Sequence, residues 1–209
     1  MAEVTKTVEE MEDIFRLAIL KIFELDPSAK KNQGRVRFPW GSRLGEQDND
    51  LAPITKNDKG KEICVVTIIP RDDSYNRQRH RRHEDRGGRD LVLVDEHTDV
   101  HEVTFCNYGK YAYENARKIR DGLFTPDLRR FLKQNNFALV TDVPAIRRVP
   151  ELLNNEWWNR CDFTAVFNEY VRLESIAGTI EHVNITVKAV INGEETIETI
   201  TVNRENPEQ

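Results

Sequence analysis

A regularly alternating segment is the feature that most constrains the fold of this chain. Between Arg160 and Val171, apolar residues fill almost every odd position and polar residues fill most even positions. This period of two is typical of a β-strand that has one face in a protein core and the other facing solvent or a partner. One long, half-buried strand is therefore predicted here.

Two consecutive tryptophans, Trp157 and Trp158, stand directly before this strand. Neighbouring residues of a strand point to opposite sides, and neighbouring residues of a helix diverge by about 100°, so both side chains cannot enter one core. At least one of them is expected at or near the surface. It either anchors a partner or lies flat over the chain's own loops.

The composition fits one globular domain over residues 1–209, because 38% hydrophobic and 32% charged residues are ordinary values for such a domain. The longest apolar runs, such as Ile63–Pro70, have the length of a strand rather than a membrane span. The first residues lack the pattern of a signal peptide, which predicts cytosolic assembly without membrane contact. The net charge of −5 argues against a dedicated nucleic-acid-binding protein.

Two parts of the sequence have helical periodicity. Residues 5–25 form an amphipathic pattern that ends before Pro27, since the residue before a proline disfavours the α region. A second helix is predicted from Tyr108 onwards, and a third follows it with Thr125 as N-cap and Pro126 in the first position.

The remaining regular segments are predicted strands. Ile63–Ile69 is apolar on both faces, as in the central strand of a covered sheet, and is expected to form a hairpin with the strands that follow the charged segment. Phe137–Val143 is another strand, and the Asn192-Gly193 dipeptide marks a late hairpin. Together these elements predict an α+β fold, in which a mostly antiparallel sheet packs against an N-terminal helix and a central helix pair.

Two segments without apolar periodicity are predicted to be long insertions. Residues 28–61 are rich in glycine, proline, asparagine and charge, which is typical of a surface connection. Residues 71–90 hold seven arginines, two histidines and five acids, so they are expected to form a solvated loop or a polar hairpin tip. Arginines suit phosphate, which leaves open contact with DNA, including a DNA-binding accessory role, or with a protein neighbour. The candidate residues are Arg77, Arg79, Arg81, Arg82, Arg86 and Arg89.

One cluster has residue types found in metal sites. In an extended chain, Asp95, His97, Asp99 and His101 would share a face, which is compatible with a metal-dependent hydrolase or nuclease. A polar strand end without chemistry is the interpretation we favour. The sequence has no phosphate-binding glycine loop and no serine nucleophile elbow. Its three cysteines lack CxxC spacing and are predicted to be buried thiols. No catalytic residue, cofactor or bound metal is therefore predicted.

The segment VPELLNNEWWNRCDFTAVFNEYV, Val149–Val171, resembles a segment that marks the neck or tail terminator proteins of tailed bacteriophages, where a PEL-type turn leads into an aromatic strand. Gly109–Glu114 and Phe131–Val140 match the same family in the same order. The resemblance covers Val103–Ile185 well and the N-terminal helix weakly, and it implies a terminator-like fold. Residues 28–95 match nothing in the family and are expected to be particular to this protein.

The resemblance implies a structural, non-enzymatic role. Terminators of this kind form a hexameric ring on the last ring of the tail tube, stop its growth and join the tail to the neck or connector of the head. The chain would then belong to the virion, at the tail and neck, after assembly in the host cytoplasm. Its partners would be other copies of itself, the tail tube protein, neck and connector proteins and, as a further candidate, the tail sheath. DNA would make only passing, non-specific contact.

A ring of identical subunits needs a heterologous interface, in which two different patches meet and close by rotation. We predict that one of these patches lies at the two tryptophans, which cannot both enter the core, and at the arginines beside them. Its residues are Trp157, Trp158, Arg147, Arg148 and Arg160.

Overall fold

The computed structural model describes residues 6–39, 54–85, 91–153, 155–177, 182–191 and 194–203. These residues form an α+β fold in which helices pack on a mostly antiparallel sheet, so the predicted fold class is confirmed. The described residues divide into two compact units. The larger unit takes residues up to 80 and 96–173, and the smaller unit takes residues 81–95 and those from 174 onwards.

Helix α1 (Val8–Ile22) confirms the N-terminal helix, and a capping box explains where it begins. The Glu10 backbone N–H donates to Thr7 Oγ1 at 3.2 Å, and the Thr7 N–H donates to Glu10 Oε2 at 2.8 Å. Its apolar stripe is buried in the core of the larger unit. The buried apolar residues of α1 are Met11, Ile14, Phe15, Ala18, Ile19 and Leu20.

Helices α2 (Ala112–Gly122) and α3 (Pro126–Gln134) confirm the central helix pair. Proline at the first position of α3 has the fixed φ that a helix start needs. Thr125 occupies the N-cap position as predicted, but its hydroxyl donates back to the Gly122 carbonyl oxygen at 2.8 Å and makes no capping hydrogen bond.

Nine described strands precede the late hairpin, and seven of them form one sheet around two long central strands. In chain order they are β1 (Val36–Arg37), β2 (Ile63–Pro70), β3 (Arg79–Asp85), β4 (Leu91–Tyr108), β5 (Phe137–Leu139), β6 (Arg147–Arg148), β7 (Glu151–Leu153), β8 (Glu156–Trp158) and β9 (Arg160–Ala177). The sheet order is β1-β2-β4-β9-β5, while β3 also pairs with β4 and β6 pairs with β9. Strands β7 and β8 pair with each other as a separate antiparallel hairpin.

Most neighbours in this sheet are antiparallel. Strand β2 places Ile63 opposite Tyr108 of β4, and β5 is antiparallel to β9, whereas β1 and β2 are parallel. Strands β4 and β9 are also antiparallel, as two contacts between them show. Thr104 Oγ1 lies 3.1 Å from Thr164 Oγ1, and three residues further along β4 the Asn107 side chain approaches the Cys161 carbonyl oxygen at 3.5 Å.

The alternation of β9 has the predicted effect, since its odd-numbered apolar residues are buried. Phe163 stacks on Phe105 of β4 with ring centroids 4.9 Å apart. Phe167 meets Phe15 of α1 edge-to-face, also at 4.9 Å. One face of β9 therefore joins the sheet to the helical layer. Its buried apolar residues are Cys161, Phe163, Ala165, Phe167 and Val171.

The smaller unit contains the antiparallel hairpin of β10 (His182–Ile191) and β11 (Glu194–Asn203). Its register runs from His182 opposite Asn203 to Ile191 opposite Glu194. This confirms the hairpin expected from the sequence, although its Asn192-Gly193 turn lies outside the described residues. The strand predicted at Phe137–Val143 is shorter in the structure and ends at Leu139.

The described part of residues 28–61 is mostly exposed or half-buried, as expected of a surface connection, but it is anchored to the sheet at β1. Val36 pairs with Cys64 of β2, and both side chains are buried. Asp58, only 3% exposed, accepts hydrogen bonds from both terminal nitrogens of Arg37 at 2.6 and 2.8 Å. This ion pair ties the segment to the sheet edge. Residues 40–53, including Trp40, lie outside the described residues.

Of the two forms predicted for residues 71–90, the structure shows the polar hairpin, because Arg79–Asp85 is strand β3 and pairs with β4. A strand without apolar residues is stable at this position because it needs no buried face and its arginines have partners: Arg81 pairs with Asp95 of β4, and Arg82 pairs with Glu84 of β3 itself. Charged side chains are a common feature of edge strands. Residues 86–90 lie outside the described residues.

We predict that Gly109→Ala destabilises the fold by about 2–4 kcal/mol. Gly109 has φ +123°, and an added Cβ would lie 2.6 Å from the Glu62 carboxylate. That carboxylate accepts hydrogen bonds from the Tyr111 N–H at 3.1 Å and the Asn115 amide at 2.7 Å, and these bonds would be lost if it moved. Urea denaturation of the purified variant measures the effect.

Gly60→Ala is the matched control, because Gly60 also has positive φ (+82°) but has open space around its Cα. It is expected to cost about 1 kcal/mol, from backbone strain alone. Equal losses for the two variants would show that the contact with Glu62 contributes nothing.

We predict that Asp58→Asn lowers the free energy of unfolding by about 3 kcal/mol at pH 7, and by progressively less as the pH falls from about 3.9 towards the lowered pKa of the folded carboxyl. The Arg37 guanidinium holds the pKa of Asp58 well below its usual range. A carboxyl whose pKa is lowered by folding stabilises the protein above its unfolded pKa, about 3.9 for Asp, and the benefit fades as the pH falls below that value. Urea titrations at several pH values provide the measurement.

Asp72→Asn serves as the control for this pH series. The Arg77 guanidinium also lowers the pKa of Asp72, but both side chains are largely exposed, at 78% and 72%. Exposed ion pairs contribute little to stability, so no measurable change is expected. A loss from Asp58→Asn that stayed constant from pH 7 down to about pH 2 would contradict the electrostatic explanation.

Candidate assembly surface

The β7/β8 hairpin presents two faces of opposite character. Its register places Glu151 opposite Trp158 and Leu152 opposite Trp157. Adjacent residues of a strand alternate between faces, so the first pair lies on one side of the hairpin and the second pair on the other. The two tryptophans therefore point in opposite directions, as the sequence predicted.

The inner face of the hairpin packs on the sheet. Trp158 is only 6% exposed and meets the ring of Tyr108 edge-to-face at 6.4 Å. It belongs to a second hydrophobic cluster, separate from the core beneath α1. The other buried members of that cluster are Ile54, Ile63, Val65, Cys106 and Tyr108.

A polar network fastens the same face. The Tyr108 hydroxyl donates to Glu151 Oε2 at 2.7 Å, and Arg160 Nη1 donates to the same oxygen at 3.0 Å. Arg160 also donates to both Asp162 oxygens, at 2.8 and 2.9 Å, and its guanidinium lies 5.6 Å from the Tyr108 ring centroid. Burial and the hydrogen bond to Glu151 raise the pKa of Tyr108, so the phenol stays protonated as a donor.

The outer face of the hairpin is apolar and exposed. Trp157 is 71% exposed and Leu152 is 53% exposed. They are direct cross-strand partners, so they form one continuous apolar pair. Val149, close in sequence, is also exposed. An exposed tryptophan beside other apolar groups is a common anchor of protein interfaces.

The structure changes the predicted patch at two of its five residues. Trp158 is a core residue, because the side of the hairpin that carries it faces the sheet. Arg160 directs its guanidinium at Glu151 and Asp162 of its own chain rather than at a neighbour. Arg147 and Arg148 are exposed on β6, the strand before the hairpin, so they and Trp157 stay predicted contact residues.

The described arginines of residues 71–90 have intrachain partners. Each partner except one is an acid, and the exception is the ring of His97, which lies 2.7 Å from Arg79 Nη1. The ion pairs include Arg71 with Asp73 at 4.0 Å, Arg77 with Asp72 at 2.7 Å, Arg81 with Asp95 at 3.0 Å and Arg82 with Glu84 at 2.8 Å. Contact with DNA or a neighbouring ring stays a prediction for these residues, while Arg86 and Arg89 lie outside the described residues.

The four residues considered as metal ligands are directed to different partners. Asp95 pairs with Arg81, and His97 lies between Arg79 and Asp99. His101 is buried and its Nε2 lies 2.9 Å from Glu169 Oε2 of β9. In the parts of the chain that the structure describes, no three His, Cys, Asp or Glu side chains converge on a possible metal position.

The three cysteines are free and buried, as predicted. Burial raises the pKa of the Cys106 thiol to about 11, and burial also raises the pKa of Cys64 and Cys161. A thiol that stays protonated near neutral pH is a poor nucleophile and a poor metal ligand. These groups serve as small apolar side chains.

Sequence reasoning missed three important residues of this site, two in the hairpin and one on β4. In the sequence, Leu152 is interpreted as part of the PEL-type turn. Only the pairing of β7 with β8 shows that it lies opposite Trp157. Glu151 and Tyr108 are 43 positions apart, so their hydrogen bond leaves no local pattern in the sequence.

Comparison with models of protein families identifies the family of this chain. A family model described as phage neck terminator protein matches residues 43–194, about three quarters of the chain. This chain belongs to the phage neck terminator protein family. The matched range includes the β7/β8 hairpin, β9 and both central helices but not α1. A comparison with curated proteins finds no match.

Membership of the family gives the chain a structural role in the tail or neck of a phage particle. It also implies contacts with other tail and neck proteins. The expectation that residues 28–95 are particular to this protein is wrong from residue 43 onwards, because the family match includes them. No helix in the described residues has the length and apolar content needed to cross a membrane.

We predict that Trp158→Ala and Trp157→Ala have very different effects on stability. Removing the buried Trp158 side chain leaves a cavity and should cost about 3–5 kcal/mol. Removing Trp157 loses only part of a cross-strand pair and should cost less than about 1 kcal/mol. Thermal and urea denaturation compare the two variants. Similar losses would show that the two faces of the hairpin are not distinct.

Proposed function

We propose that this chain is the tail terminator of a tailed phage, assembled in the host cytoplasm as a ring that caps the tail tube. The ring, taken to be a hexamer, stops growth of the tube and joins the tail to the neck or connector proteins of the head. Membership of the neck terminator family carries this proposal, since the family works at the site where tail and head meet.

The structure supports the proposal through the surface of the β7/β8 hairpin. A subunit of a closed ring must present at least one patch for a neighbour. The exposed Leu152–Trp157 pair is such a patch on an ordered strand pair. Residues 1–209 then act as one terminator domain, with the segments at 28–61 and 71–90 available for neighbouring rings, the tube protein or the tail sheath.

Passing DNA is at most a weak contact in this proposal. The described arginines of residues 71–90 that pair with acids are already neutralised in part. Neutralised guanidinium groups release fewer counterions from a phosphate backbone, so they bind it less tightly. Weak, non-specific contact suits a channel through which DNA must move.

We predict that particles produced without this chain have tails that fail to join heads and tubes that lose their defined length. Electron microscopy of infected-cell lysates, with a chain-deleted phage and the same phage complemented by the wild-type chain, provides the measurement. Tails of normal length joined to heads in the deleted phage would refute the proposal. Restoration by the wild-type chain shows that the defect comes from this protein.

A further inference from the structure

We infer that the outer face of the β7/β8 hairpin, with Leu152 and Trp157 as its contact pair, docks on a neighbouring copy of this chain. The inference rests on the proposed ring and names the partner of one of its surfaces. Four properties of the described residues lead to it: the rigidity of the hairpin, the exposure of the pair, its size and the charge around it.

The hairpin is held in place before any partner arrives. Trp158 is inserted in the hydrophobic cluster of the sheet, and Glu151 accepts hydrogen bonds from both Tyr108 and Arg160. These contacts use only the inner face, so they leave the outer pair fully presented. A contact surface that is ordered in the free subunit loses less conformational entropy on binding, which favours affinity.

The two apolar side chains of the pair face water, which is unfavourable for apolar surface. Trp157 and Leu152 are exposed by 71% and 53%, although their own hairpin has an apolar cluster on its other side. Their combined exposed area is on the order of 250 Å². A standard interface buries about 800 Å² on each partner, so the pair has the size of an interface centre and needs a polar rim around it.

The charges near the pair favour an acidic partner. Arg147 and Arg148 are exposed on β6, just before the hairpin. The chain has 36 acidic and 31 basic residues, a net charge of −5. A second copy of this net-acidic chain therefore has the overall charge that these two arginines complement, whereas an apolar pair gains nothing from DNA phosphate.

Photo-crosslinking in assembled particles tests the inference. A photoreactive benzoylphenylalanine replaces Trp157 in the full chain, phage particles are assembled with it, and purified particles are irradiated. The expected product is a crosslinked pair of chains with twice the mass of the 24.4 kDa subunit, identified by peptide mass spectrometry. A crosslink mainly to the tube protein, a neck protein or DNA, or no crosslink at all, would overturn the inference.

Two further probe positions make the result specific. The same probe at Leu152 should give the same product, and it replaces the first experiment if the Trp157 probe prevents assembly. A probe at Tyr75, which is 58% exposed and outside the hairpin, should give at least fivefold less of the doubled product. Equal yields from Tyr75 and both hairpin positions would show general crowding and count against the inference.

The crosslinking experiment and the deletion experiment can fail independently, so they test the docking surface and the proposed function separately. Particles with normal, joined tails whose Trp157 probe crosslinks to another tail protein would leave the terminator role intact and remove the hairpin from the subunit contact. A deleted phage with normal tails would instead refute the terminator role itself.

Discussion

The structure of the larger unit depends on the burial of one face of β9. This face carries phenylalanines that meet both the neighbouring strand and the helical layer, through Phe163 on Phe105 and Phe167 on Phe15. Because side chains alternate with period two, a shift of one residue would expose this whole set to water, and the register is therefore strongly fixed. Strands β4, β5 and β6 pair with β9, so their positions follow from the same constraint.

The candidate assembly surface follows from where β9 begins. Arg160, its first residue, contacts Glu151 of β7, Asp162 of its own strand and the ring of Tyr108 on β4. The network therefore connects the β7/β8 hairpin to the centre of the sheet. Its ion pairs are partly buried, and the loss of one partner would leave the other charge partly buried and unpaired, so the geometry of the network is tightly held. A fixed hairpin is what the proposed docking through Leu152 and Trp157 needs.

Ion pairs in other parts of the chain have different structural effects. The Arg37–Asp58 pair is buried and holds a segment of low apolar content against the sheet edge. On β3, by contrast, exposed arginines pair with acids next to them or across the strand, which keeps an edge strand soluble without a buried face. The same residue types thus stabilise one segment and protect another, depending on their burial.

The sequence by itself determined the elements whose signal is local. The periodicity of α1 and β9, the proline at the start of α3 and the opposite directions of Trp157 and Trp158 all depend on neighbouring residues, and all are found in the structure. Tertiary structure alone decided which tryptophan is buried, because that depends on the side of the hairpin that meets Tyr108. It also decided that Arg160 acts within the chain and that Asp58 is buried against Arg37. These outcomes rest on contacts between residues far apart in sequence, where local patterns of hydrophobicity and charge contain no information.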